Sequence, residues 1–153
     1  MRRIALISLC VVTSMVAAPV ALASDDSVRQ VVREQAARQI TQDAKFKSAV
    51  KKINSRAAAK KARTATILQQ RSVDTFRNAV RAEQADTEQV KAGRNQLLEG
   101  LSLYNHGLDK LRTALTQAIK TNGRGGAASA RAALRTVTRA QEQIANGARK
   151  IAG

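Results

Sequence analysis

One group of side chains has the residue types for catalysis: Glu99, Ser102, His106 and Asp109. On a helix, spacings of three, four and three place them on one face. Two carboxylates flanking an imidazole can hold a metal ion, and Ser102 beside His106 has the types of a nucleophile and its base. The heptad around them puts all four opposite the apolar seam, so the spacing predicts a solvated histidine between two acids. The stretch "GRGG" (Gly123, Arg124, Gly125, Gly126) lacks the preceding strand and the Lys-Ser/Thr pair of a phosphate-binding loop. No catalytic residue, metal site or cofactor is assigned, and the chain reads as non-enzymatic.

The stronger chemistry is electrostatic. Residues 44–73 hold nine lysines and arginines and no acid. On a continuous helix Lys45, Lys52, Arg56, Lys60 and Arg63 fall within about 80° of one another and form the candidate surface for an anionic partner. They flank an apolar stripe of Phe46, Val50, Ile53, Ala57, Thr64 and Leu68, with Lys47, Lys51 and Lys61 on its other side. Such a helix can lie in an acidic membrane interface. Phe46 is the stripe's lone aromatic anchor, which favours packing against other helices, with the cations left solvated and open to phosphates.

The chain that must position these residues starts with an export pattern. Arg2 and Arg3 precede an apolar run from Ile4 to Val16, and small residues surround Ala23. Residues 1–23 read as a cleavable secretory signal peptide, with Cys10 as filler of its apolar core. Residues 24–153 then form a single helical domain without Cys, Pro, Trp or Met, so packing alone must hold it. Leu, Ile, Val and Phe number only 25 there, near the limit at which a charged chain stays disordered; 24 alanines, the strongest helix formers, shift the balance to order. The domain's net charge of +14 predicts attraction to anionic surfaces. Only Phe46, Phe76 and Tyr104 are aromatic, all at apolar-stripe positions, and no nucleic-acid module is visible. Sequence-specific nucleic-acid recognition is therefore not expected, whereas counterion release gives sequence-independent binding at low salt.

Helical periodicity runs through the whole domain. Leu97, Leu101, Tyr104, Leu108, Leu111, Leu115 and Ala118 alternate steps of four and three. After a loop at 121–126, so do Ala127, Ala130, Leu134, Val137, Gln141, Ile144, Ala148 and Ile151. Two such helices joined by a short loop pack antiparallel. Gly93, Gly100, Gly107 and Ala114 recur along one flank of the first, and Gly126, Ala133, Ala140 and Gly147 along the same flank of the second. Each interior Gly costs about 0.5–1 kcal/mol relative to Ala, a cost that close backbone approach explains. Gln141, the lone polar residue of the last seam, is expected to fix register. Before this pair, the stripe through Leu68 and the set Val73, Phe76 and Val80 differ in phase by more than about 100°, which predicts a kink, break or change of partner at 71–74.

The expected fold class is all-α: an elongated antiparallel helical bundle of three long helices with room for a short extra N-terminal helix. The helices are placed at about 27–71, 73–85, 87–121 and 126–151. The leading functional expectation is an exported basic protein, periplasmic, wall-associated or secreted, that binds an anionic polymer or acidic membrane surface of the cell envelope. The alternatives are an interaction module that pairs with itself or another helical protein through the Gly/Ala seam, and a membrane-active amphipathic protein.

Overall fold

The computed structural model describes residues 25–51, 53–122 and 125–153. The signal-peptide expectation, like Lys52, lies outside the described residues. Those residues are all-α, with four helices packed together and no strand: α1 (Asp25–Val50), α2 (Arg56–Ala82), α3 (Glu88–Lys120) and α4 (Ala127–Ala152).

The first break falls at 51–55, not at 71–74. Ser55 creates it: its extended backbone stops the helical path, and its Oγ accepts from the Ala58 N–H at 3.1 Å. That is an N-cap, worth about 1 kcal/mol. The alanine-rich run that follows starts a new helix in a new phase, and it continues unbroken through 71–74. The continuous stripe from Phe46 to Leu68 is thereby corrected. Phe46 is buried, with Val50 and Ile53 packed on the core, but Ala57, Thr64 and Leu68 are exposed. The buried face of α2 is Ala59, Ala62, Thr66, Gln69, Val73, Phe76 and Val80, a heptad rotated away from the expected one.

Side-chain bonds give the directions. Gln70 meets Asp109, Asn105 meets Asp74, and Arg94 meets the carbonyls of Val80 and Arg81, so α2 and α3 run antiparallel. Arg29 reaches the Ile151 carbonyl while Asp43 meets Gln141, so α1 and α4 do too. Thr87 caps α3, and Asp25 docks the α1 start onto that cap. Its carboxylate accepts from the Asp86 and Thr87 N–H groups at 2.8 and 3.2 Å and from the Thr87 hydroxyl at 2.6 Å. The hydroxyl bond is the main reason the Asp25 carboxyl lies below its usual range. α2 and α4 occupy opposite corners, with no close approach of their backbones.

α3 is the spine. Leu97, Leu101, Leu108, Leu111 and Leu115 are all buried, flanked by α2 on one side and α4 on the other. The glycines set the α3–α4 distance. A Cβ on Gly147 would lie 2.6 Å from the Leu97 nitrogen, and one on Gly100 2.9 Å from the Ile144 nitrogen. Gly93 faces Gly147 and Ile151, Gly107 faces Val137, and at Gly126 (φ +85°) a Cβ would run into the Ala114 carbonyl. α4 rolls onto its small-residue row: Ala133, Ala140 and Gly147 are buried, whereas Leu134, Gln141, Ile144 and Ala148 are only partly covered and turn sideways. The row expected as a flank is the centre of α4's contact with α3.

A polar keystone joins all four helices. Asp43 of α1 accepts from the Tyr104 hydroxyl of α3 at 2.9 Å, the Gln69 amide of α2 at 2.6 Å and the Gln141 amide of α4 at 3.0 Å. Lys47 adds an ion pair at 3.5 Å. Burial, reinforced by the adjacent carboxylate, pushes the Tyr104 phenol well above its ordinary pKa. The hydroxyl therefore stays a donor at any pH at which the keystone stands.

Candidate anion-binding face

The break at 51–55 splits the expected five-residue basic stripe. Lys45 lies on α1, while Arg56, Lys60 and Arg63 share one face of α2, across the turn. A single amphipathic basic helix does not exist here, because Ser55 ends its continuity. Lys45, Arg56, Lys60 and Arg63 are nonetheless all exposed.

What replaces the stripe is larger. Residues 110–141 also lack any acid and carry seven basic residues. The fold brings this segment to the same end as 44–73. Val50 and Ile53 border one cleft together with Ala118, Gly126, Ala130 and Arg131. The described residues of the two acid-free segments thus form one basic pole of 14 lysines and arginines; outside those segments the domain has nine bases and eleven acids, net −2. Every described lysine and arginine of the pole is exposed. Only Lys47 and Arg112 among them pair with a carboxylate, using Asp43 and Asp109 at the pole's margin.

Sequence reading missed the contribution of α4. Arg131, Arg135 and Arg139 stand one turn apart on an exposed face. Their four-residue spacing, in a stretch with no acid from 110 to 141, was the available signal. The opposite pole gathers Asp25, Asp26, Glu83, Asp86 and Glu88 around the Asp25–Thr87 cap. There Arg29 pairs with Asp26 at 2.9 Å and Lys91 with Glu88 at 2.8 Å. The hydrogen bond that Lys91 donates to the Glu88 carboxylate raises the Lys91 pKa above its usual value.

Glu99, Ser102, His106 and Asp109 are all exposed. Asp109 is engaged by Gln70 and Arg112, and no group of three or more His, Cys, Asp or Glu residues suited to a metal occurs among the described residues. The seam residues Gly93, Gly100, Gly107, Ala114, Ala133, Ala140 and Gly147 are buried between α3 and α4 of the same chain. No described helix is long and apolar enough to cross a membrane.

The basic pole is spread over all four helices and has no enclosing shape. It can attract phosphates or carboxylates arrayed on a polymer or a surface, since each exposed cation acts as an independent contact that displaces a counterion. Comparison with family models, curated proteins and solved structures gave no match for this chain.

Proposed function

We propose that this chain is an exported, non-enzymatic basic protein, an elongated antiparallel helical bundle that binds an anionic polymer or acidic membrane surface of the cell envelope through its basic pole. One observation carries the reading. Two acid-free segments, far apart in sequence, meet at one end with their described cations exposed and nearly all unpaired. Pairing with a helical partner through the Gly/Ala seam is less favoured, since α4 already covers that row. A membrane-active Lys45–Leu68 helix is disfavoured by the break at 51–55 and by buried Phe46.

The test is a salt series with a labelled DNA duplex as a model polyanion, acidic and neutral vesicles alongside. Engagement of about six cations should lower affinity roughly a thousandfold between 50 and 200 mM salt. Charge reversal at Arg56, Lys60, Arg63, Arg131 and Arg135 should abolish binding. A matched reversal of Arg33, Arg38, Arg77, Arg81 and Lys150 removes the same charge elsewhere and should leave most of it. Equal losses from both sets would show that net charge alone acts and that the pole is not the binding face.

A further inference from the structure

An apolar recess of about 170 Å³ lies within the otherwise open basic pole. Buried Leu115 and Ala118 of α3 form its floor. Val50 and Ile53, at the end of α1 and just beyond it, stand on one side, and Ala130 and Leu134 of α4 on the other. These four are only partly covered, so solvent reaches the recess. It runs roughly 10 Å along α4, from Ala127 to Leu134.

Its charge is one-sided. Arg131 is the charged residue of its lining. Arg131 and Leu134 also border a shallow depression shared with Arg135 and Arg139, so the recess opens onto the arginine row of α4. Arg131 and Arg135 are exposed and form no ion pair among the described residues. The acid of that row, Glu142, stands at its far end, beyond Arg139.

We infer that this recess binds a free, single-tailed carboxylate of medium chain length, its alkyl tail between the apolar walls and its head on Arg131 and Arg135. The inference rests on the pole being an anion-binding face and names a ligand for it. Guanidinium groups take carboxylates through paired, charge-assisted hydrogen bonds. An apolar cavity of about 150 Å³ accepts a benzene-sized guest, so this recess holds about six to eight carbons of a chain. A neutral head would forgo the arginines, and a cationic head would meet them. A bilayer lipid is a poorer fit. The exposed large apolar side chains among the described residues are Ile40 and Leu68, and neither lines the recess. No apolar anchor stands beside it to enter a bilayer, so the ligand must come to the protein.

The experiment titrates methyl-labelled protein with butanoate, hexanoate and octanoate, and with octanol and octylammonium as head-group controls. Octanoate should shift the Val50, Ile53 and Leu134 methyl resonances saturably, one per chain, and leave Ile40 unmoved. Affinity should rise about fourfold per methylene from butanoate to octanoate. Octanol and octylammonium should bind at least tenfold more weakly than octanoate. Arg131→Gln with Arg135→Gln should lower octanoate affinity about tenfold and leave octanol unchanged. Ala130→Leu fills the recess and should remove the chain-length dependence, whereas Ile53→Ala enlarges it and should move the best chain length upward, both with circular dichroism unchanged. Duplex DNA reads the pole alone, and Ala130→Leu should bind it like the parent. A parent that binds DNA but shows no chain-length dependence overturns the recess and leaves the pole standing; a parent that binds neither overturns both. Acidic phospholipid vesicles should bind the parent and Ala130→Leu alike. If Ala130→Leu releases them, the occupant is a bilayer lipid and the proposal is overturned.

Discussion

Gly147→Ala adds one methyl group at the closest point between α3 and α4. Elsewhere in a helix that change stabilises by about 0.5–1 kcal/mol. Here the new Cβ would sit 2.6 Å from the Leu97 nitrogen and 2.9 Å from both the Gly93 oxygen and the Leu97 Cα. All three are backbone atoms, so no side chain can turn aside. Ordinary contact begins at 3.4 Å, so the helices must part by about 0.8 Å at this level. A gap of that size forfeits roughly a quarter to a half of each affected dispersion contact. Overpacking of this kind costs about 1–3 kcal/mol, which exceeds the propensity gain and leaves a net loss of about 1–2 kcal/mol. For a domain of this size that lowers Tm by about 3–8 °C. Gly107→Ala is the internal comparison, because its nearest neighbour is the Val137 Cγ2 at 2.9 Å, the end of a side chain, and the backbone stands off at 3.1 Å. Its loss should be smaller than that of Gly147→Ala, and the bulkier Gly100→Leu should exceed both. Urea unfolding followed at 222 nm measures all three. If Gly147→Ala is as stable as the parent or more so, the close approach of the backbones is refuted.

Three further outcomes follow from the hydrogen bonds. Because burial raises the Tyr104 pKa above its unfolded value of about 10, the phenol contributes stability that is fully present below pH 10 and is lost as pH rises through the folded value. Absorbance at 295 nm should therefore show no phenolate in the folded protein at pH 10.5, and should show it appearing with unfolding rather than before; a separate earlier titration would contradict the keystone. Asp25 behaves oppositely: its folded pKa is depressed, so its contribution is present above about pH 4 and fades as pH falls through the lower folded value. Asp25→Asn should flatten that acid dependence and speed amide exchange at 86–87, and unchanged exchange there would refute the docking role. Ser55→Ala should cost about 1 kcal/mol by urea unfolding, whereas Thr64→Ala, whose hydroxyl only bonds back to the Lys60 carbonyl, should change stability little.

The α3–α4 pair was legible because its seam is written in leucine, and the leucines of α3 are the buried spine. The face of α2 was not, because its core positions are filled by Ala59, Ala62, Thr66 and Gln69. These residues bury through small size or through hydrogen bonds, Thr66 to the Ala62 carbonyl and Gln69 to the keystone, and no apolar count registers them. The exposed Ala57, Thr64 and Leu68 then looked like the better stripe. Gln141 appeared as a lone polar residue in a seam, yet its partner Asp43 lies 98 positions away, a pairing that periodicity cannot see. The basic run was visible as composition, but which other cations share its end depends on where the chain turns.

That turn decides what the basic segment can do. As one rod, residues 44–73 would stretch nine cations over about 45 Å, with an apolar stripe beside them suited to lying on a bilayer. Capped at Ser55, the segment folds back on itself and its length is nearly halved. Phe46, Val50 and Ile53 then go inward, so the apolar half of the amphipathic pattern is spent on the core. The cations are left outward and crowded, and the arginines of α4 are carried in beside them through Arg131 at the Val50–Ile53 cleft. Crowding like charges destabilises the folded state by self-repulsion, and a bound polyanion removes that repulsion. The Ser55 cap therefore ties the proposed binding to stability: it builds the pole whose self-repulsion an anionic partner would relieve.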